Sequence, residues 1–264
     1  VNTPADQHSR DLMNKVPQIT LFFWVIKILA TTVGETAADL LNVNMGFGLI
    51  ATSWVMCALL AAALAIQIFS RNYVPWKYWL AVVFLSIFGT LVTDNLVDNF
   101  GVALTITTAI FSVALIATFI GWYANEKTLS IHTIYTKRRE MFYWTTILFT
   151  FALGTAAGDL VGEQFNLGYS LSALLFGGMI TLVTLAYYIF KLDAVLAFWL
   201  AYILTRPFGA SCGDLLSQAT KDGGLGLGTV STSILFFAVI AALVIYLSIT
   251  KRDVDIRPPI RPGG

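Results

Sequence analysis

Apolar residues in this chain neither alternate nor recur as a narrow stripe. They come in runs of twenty or so, separated by short polar breaks, the length of an α-helix crossing a hydrocarbon core of ~30 Å. Eight such runs fall at about 18–41, 46–70, 76–97, 101–124, 141–163, 167–190, 194–217 and 225–250. The pattern predicts an all-α polytopic membrane protein with eight transmembrane helices. At about 22 residues per span the helices use about two thirds of the chain, leaving little for a soluble domain. The first run holds Lys27 and Glu35 and lacks a small-residue cleavage site, so it reads as a span and not as a cleavable signal.

The odd-numbered runs align on one pattern, Trp-x9-Gly-x4-Asp, which predicts four tandem two-helix repeats. It reads Trp24–Gly34–Asp39, Trp79–Gly89–Asp94, Trp144–Gly154–Asp159 and Trp199–Gly209–Asp214, without a gap in any copy. An aromatic residue precedes each tryptophan (Phe23, Tyr78, Tyr143, Phe198), and a glycine near the start of each even run follows (Gly46, Gly101, Gly168, Gly226). Successive tryptophans are 55, 65 and 55 residues apart, the longer middle interval containing the longest loop. A repeat of two spans restores the chain to its starting side, so the copies are related by an axis along the membrane normal. A pseudo-fourfold or nested twofold bundle follows, with the odd helices toward its centre.

Composition agrees: 57% of the 264 residues are hydrophobic and 12% charged, and the formal net charge is only +1. A soluble domain carries about a quarter charged residues, and a nucleic-acid binder would be basic, so both classes are excluded. With the N-terminus inside, thirteen Lys and Arg fall on the cytoplasmic side and one, Lys221, outside, which predicts an N-in/C-in topology. The expected organisation is an N-terminal cytoplasmic segment (1–17), a first four-helix half (18–124), a cytoplasmic loop (125–140), a second half (141–250) and a disordered, Pro/Gly-rich cytoplasmic tail (251–264).

The repeats, together with Lys15-Val16-Pro17-Gln18-Ile19-Thr20 and Gly34-Glu35-Thr36-Ala37-Ala38-Asp39, resemble a group of bacterial proteins catalogued as uncharacterised membrane-anchored proteins, over about 15–250. The resemblance implies a bacterial cytoplasmic (inner) membrane protein and carries no family-wide activity.

Each motif residue has a physical reading. The tryptophans sit near one helix end and are expected to anchor at the membrane interface. The glycines lie in small-residue settings, Gly154–Gly158 and Gly209–Gly213 being Gly-x3-Gly, and are expected to let helix backbones approach closely. The aspartates oppose the helix macrodipole, which prefers cations at a C-terminus. Helical spacing stacks further acids on them: Glu35 before Asp39, Asp98 after Asp94 and Glu163 after Asp159. Asp98 and Asp222 stand just before even runs and are expected to cap them.

Intramembrane ionisable groups are functional candidates. Asp39, Asp94, Asp159 and Asp214, assisted by Glu35 and Glu163, form the expected cation-binding set, and the four aspartates the candidate metal ligands. Lys27 and Arg206 break the repeat symmetry, their counterparts being Val82, Ile147 and Tyr202, and Thr31, Ser86 and Phe151. Each is expected to pair with an acid of a neighbouring helix, Glu35 foremost, or to act as a gate or coupling group. Pro207 is expected to disturb the seventh helix and free a carbonyl.

His8 and His132 lie outside the spans, and Cys57 and Cys212 are isolated, so haem ligation, disulfides and soft-metal sites are not expected. No cofactor is expected to bind tightly; hard oxygen ligands would suit a divalent cation such as Mn²⁺, Mg²⁺ or Ca²⁺. No nucleotide motif appears, and Gly-x3-Gly-Asp is not the Gly-x-Gly-Asp of an intramembrane aspartyl protease. The chain is expected not to be an enzyme. Three functions stay open: a secondary transporter or exporter of a divalent metal or proton-coupled cation, a passive cation or proton channel, and a non-transporting scaffold or sensor. The expected partners are the bilayer and a cation, with no nucleic acid; a pore within one chain and one formed between copies in a homo-oligomer both fit.

Overall fold

A computed structural model describes residues 14–254. Eight long helices follow one another: α1 (Leu21–Asp39), α2 (Leu49–Ile68), α3 (Pro75–Asp94), α4 (Leu104–Glu126), α5 (Lys137–Asp159), α6 (Gly168–Ile189), α7 (Ala194–Ser217) and α8 (Thr229–Thr250). All eight are long and apolar enough to cross a membrane. Local chemistry sets their starts. Thr20, Thr136 and Asp193 accept hydrogen bonds from the backbone N–H three residues on, and Pro75 opens α3. Gly48 precedes α2 at φ 73°, a backbone conformation that favours glycine.

Odd and even helices have different surroundings. The most apolar windows of α1, α3, α5 and α7 are 56–67% buried, while those of α2, α4, α6 and α8 are 17–28% buried. The odd helices therefore form the core and the even ones face lipid. Each even helix packs chiefly on the odd helix of the next repeat: α2 on α3, α4 on α5, α6 on α7, and α8 back on α1. Because α4 and α5 are one such pair, the sequence halves 18–124 and 141–250 interlock in a single ring.

The motif glycines close that ring. A Cβ added at Gly34 would lie 2.7 Å from Cβ of Ser86, at Gly89 2.7 Å from Cβ of Phe151, at Gly154 2.5 Å from Cβ of Arg206, and at Gly209 2.6 Å from Cβ of Thr31. The contacted residue stands three before the glycine of the next repeat every time, and the fourth contact returns to the first repeat. Four equivalent crossings in one direction give the pseudo-fourfold arrangement expected from the repeats, with glycine where backbones come closest.

The tryptophans correct one expectation. Trp79, Trp144 and Trp199 are buried and Trp24 half-buried, so most are packing residues, not interfacial anchors. With Phe23, Tyr78, Tyr143 and Phe198 they fill the bundle end in an aromatic layer: Phe23 meets Trp79, Tyr78 meets Trp144, and Tyr143 meets Trp199, at centroid distances of 5.5–6.3 Å. The Tyr78 and Tyr143 hydroxyls lie 2.5 Å apart. Residues 14–20 and the loop around Ile131–Thr133 cover this layer from below. The Lys15 N–H donates to the Ile134 carbonyl (3.0 Å), and the Lys15 ammonium reaches Glu140 Oε2 (2.7 Å) and the Ile68 carbonyl (2.9 Å). Residues 251–254, assigned from sequence to the disordered tail, pack here too, with Asp253 buried; residues 255–264, like 1–13, lie outside the described residues.

The helices also differ from expectation at their far ends. In the first three repeats the chain continues past the motif aspartate through a five-residue π turn: Leu40–Asn44, Asn95–Asn99 and Leu160–Gln164. The N–H groups of Met45, Phe100 and Phe165 donate to the carbonyls five residues back at 2.9–3.0 Å. Such turns are rare and concentrate at functional sites. The fourth repeat has none; α7 ends at Ser217 and a 3₁₀ turn follows at Thr220–Asp222. Helix α7 runs through Pro207 without a break, and Pro207 packs 3.7 Å from the Cβ position of Gly158.

Candidate site: a carboxylate-lined cavity above a buried arginine

The motif aspartate is the last residue of α1, α3 and α5 and stands three residues before the end of α7, so the fourfold ring brings all four to one end of the bundle. Asp39, Asp94, Asp159 and Asp214 line a single cavity of about 210 Å³, together with Glu35, Glu163, Asp98, Asn42 and Gln218. Every residue expected to bind a cation is therefore present in one place. Asp98 and Glu163 arrive on the π turns. The extra residue in the turn shifts them from where α-helical spacing would put them, and Asp98 lines the cavity instead of capping α4, whose N-cap is Ala103. Asp222 is exposed, 3.9 Å from Lys221, and α8 is preceded by Gly228, so Asp222 does not cap either.

Arg206 lies deeper in the bundle than the aspartates, beside Glu35. Its guanidinium is fully buried, with Nη2 3.1 Å from Glu35 Oε2, the ion pair expected from the sequence. The same nitrogen donates to Thr155 Oγ1 (2.7 Å) and to Thr90 Oγ1, while Nη1 reaches the Thr31 carbonyl (3.4 Å). Glu35, Thr90 and Thr155 each stand one residue after a motif glycine; the fourth member of that layer is Ala210. One arginine from the fourth repeat thus ties together the polar members of the other three. This column of polar residues was legible in the repeat alignment, but Thr90 and Thr155 did not stand out beside charged neighbours.

Lys27 departs from expectation. It is fully buried and has no carboxylate partner among the described residues; its amine donates to Thr205 Oγ1 (3.3 Å) and lies 4.6 and 4.2 Å from the ring centroids of Phe151 and Tyr202. Glu35 is already engaged by Arg206, whose guanidinium carbon lies 5.8 Å from the Phe151 centroid. Cation–π contacts replace the ion pair.

The charge around the cavity is unbalanced. Glu35 has Arg206, but among the described residues Asp39, Asp94, Asp98, Asp159, Glu163 and Asp214 make no ion pair. Gln218 Nε2 donates to Asp39 Oδ2 at 3.3 Å. Among the described residues no three His, Cys, Asp or Glu are grouped as ligands of one metal ion, so direct ligation would require the carboxylates to draw together.

Fold and site define a multi-pass helical membrane protein: four two-helix repeats about an axis, with a carboxylate-lined cavity at one end. The chain belongs to the family described as Repeat of Unknown Function (DUF347), whose model matches it four times, at residues 22–73, 77–128, 142–193 and 197–253. Those four matches are the four repeats read from the Trp–Gly–Asp pattern. No curated protein and no solved structure matches the chain.

Proposed function

We propose that the protein transports a cation across the membrane, with the aspartate cavity as its binding vestibule and the Arg206–Glu35 pair as the gate beneath it. One observation carries this reading: four repeat-related aspartates and two further acids, Asp98 and Glu163, surround one cavity and make no ion pair among the described residues. Carboxylates confined near a membrane require positive charge, supplied as a bound cation or as protons. Glu35 belongs to both parts, lining the cavity and accepting from Arg206. A cation drawn to Glu35 competes with the guanidinium, which couples occupancy of the vestibule to the contacts that close the axis. With the orientation expected from the Lys/Arg distribution, the cavity opens to the outside of an inner membrane. A proton-coupled cation fits as well as a divalent metal such as Mn²⁺ or Mg²⁺.

The test is thermal stabilisation of purified protein by Mn²⁺, Mg²⁺, Ca²⁺, Zn²⁺ and Na⁺ at several pH values, followed by flux of the responding ion in proteoliposomes. Ligand that binds the folded state raises its apparent stability by mass action. A selective shift lost in the Asp39→Asn/Asp159→Asn variant, with saturable flux abolished by Glu35→Gln, is the expected result. Flux without saturation or coupling would mean a channel. No ion response, with Asp→Asn variants as stable as the parent, would leave a scaffold.

A further inference from the structure

The opposite end of the bundle holds a second cavity, of about 380 Å³, between residues 14–18, 72–76 and 248–254. Two buried acceptors line it without donors. Asp253 is 2% exposed; its Oδ2 accepts from the Tyr73 hydroxyl at 2.5 Å, and among the described residues its Oδ1 has no hydrogen-bond partner. Asn14 is 7% exposed; its Nδ2 donates to the Val16 carbonyl at 3.3 Å, and its Oδ1 is likewise unpartnered. Asp253 makes no ion pair among the described residues, although the exposed Lys251 also lines the cavity. Trp76 adds an aromatic face.

A buried carboxylate oxygen and an amide oxygen without donors are costly to leave unmatched. What they lack is a group that is positively charged, offers several N–H donors and tolerates an aromatic wall. We propose that the cavity beside Asp253 is a binding site for a cationic nitrogen group, a primary ammonium or a guanidinium, held by Asp253 Oδ1 and Asn14 Oδ1. The volume lies within the range of small-molecule pockets, ~300–1,000 Å³. The site is separate from the aspartate cavity and does not depend on the transport reading. Its position joins residues 14–18, the start of α3 and the end of α8, because Gln18 N–H donates to the Asp253 carbonyl at 3.0 Å. A group bound there would fasten the segment that covers the aromatic layer.

Two sources share this chemistry: a free small molecule, and arginines of the same chain at positions 10, 257 and 261, outside the described residues. The experiment is thermal unfolding of the full chain with methylguanidinium or methylammonium chloride, against NaCl at equal ionic strength. A saturable upward shift in the parent, lost in Asp253→Asn and Asn14→Ala but kept in Asp39→Asn/Asp159→Asn, supports a site for a free ligand. A silent parent with a responsive Arg10→Ala/Arg257→Ala/Arg261→Ala variant, the response again lost on adding Asp253→Asn, supports occupation by the chain itself. Tyr73→Phe, which leaves both acceptors in place, should keep whichever response is seen and guards against Asp253→Asn failing to fold. No response in either background, or one that survives both Asp253→Asn and Asn14→Ala, overturns the proposal.

Discussion

The glycine ring makes a quantitative demand on the fold. At Gly34 an added methyl group would lie 2.7 Å from Ser86 Cβ and 3.0 Å from the Ser86 carbonyl carbon. Carbon atoms pack best at ~3.5–4.0 Å, so α1 and α3 would have to separate by about 1 Å. The ring leaves no free edge to absorb the shift, since α1 is also held against α7 by the Gly209–Thr31 crossing. Gly34→Ala should therefore cost about 1–3 kcal/mol, as overpacking does, despite the up to ~1 kcal/mol by which alanine is the better helix former. Ser86→Gly removes the colliding side chain, and its hydroxyl has no hydrogen-bond partner to lose. The double variant Gly34→Ala/Ser86→Gly adds a methyl group on one helix and removes the opposing hydroxymethyl group from the other, and should recover most of the loss, a coupling of about 1–2 kcal/mol. The assay is reversible unfolding in mixed micelles, with Gly178→Ala as control, because a Cβ there meets nothing within 4 Å. Additive effects of Gly34→Ala and Ser86→Gly, or a Gly34→Ala variant as stable as Gly178→Ala, would refute the cyclic crossing.

Two further outcomes follow from the opposite end. Lys15 and Glu140 are paired at 2.7 Å and nearly fully buried, so Glu140→Gln should destabilise by up to about 3–5 kcal/mol, the range for removing one partner of a buried pair; hydrogen exchange should show residues 14–20 and 129–134 losing protection first, and uniform loss across the bundle would count against a local fastening. Asp253 has its carboxyl raised above the ordinary value, chiefly by burial, with the Tyr73 hydrogen bond acting the other way. The folded state then binds more protons than the unfolded, so stability should fall as pH rises from the ordinary aspartate value of ~3.9 through the raised one; Asp253→Asn should flatten that part of the curve, and an unchanged curve would contradict the shift.

Much of the architecture was legible because membrane spans announce themselves by length, and tandem copies by exact spacing. The run at 194–217 coincides with α7, and the four aspartates do converge. What escaped the sequence has physical causes. A run that is apolar all round does not show which face turns inward, so nothing revealed that α2 would pack on α3. The tryptophans looked interfacial because their position along the helix is interfacial. They are buried because residues 14–20 and the loop near Ile131 fold over them, a long-range contact no local pattern encodes. The π turns were hidden because continuing the α-helix also stacks Asp98 and Glu163 near the motif aspartates. Lys27 was assigned an acid because charge pairing is the usual remedy for a buried ammonium, and two aromatic rings serve instead.

The symmetry and its breaking divide the work. Glycines, their contacts and the aspartates recur in all four repeats, and they build the ring and its carboxyl-lined mouth. Along the axis below, the equivalent positions are Thr31, Ser86, Phe151 and Arg206, then Lys27, Val82, Ile147 and Tyr202. No two members of either layer are identical. Below the carboxylates, the Arg206 guanidinium and the Lys27 amine both lie against the Phe151 ring, 5.8 and 4.6 Å from its centroid. On the proposed transport reading, the carboxylates would gather positive ions and the guanidinium below them would oppose their passage. A passive cation path through the axis would need both Arg206 and Lys27 displaced, and Arg206 is anchored in three other repeats at once, by Glu35 and Thr31, by Thr90 and by Thr155. On the same reading, opening the axis at this level means moving the odd helices relative to one another, because the single arginine is bonded to all three other repeats.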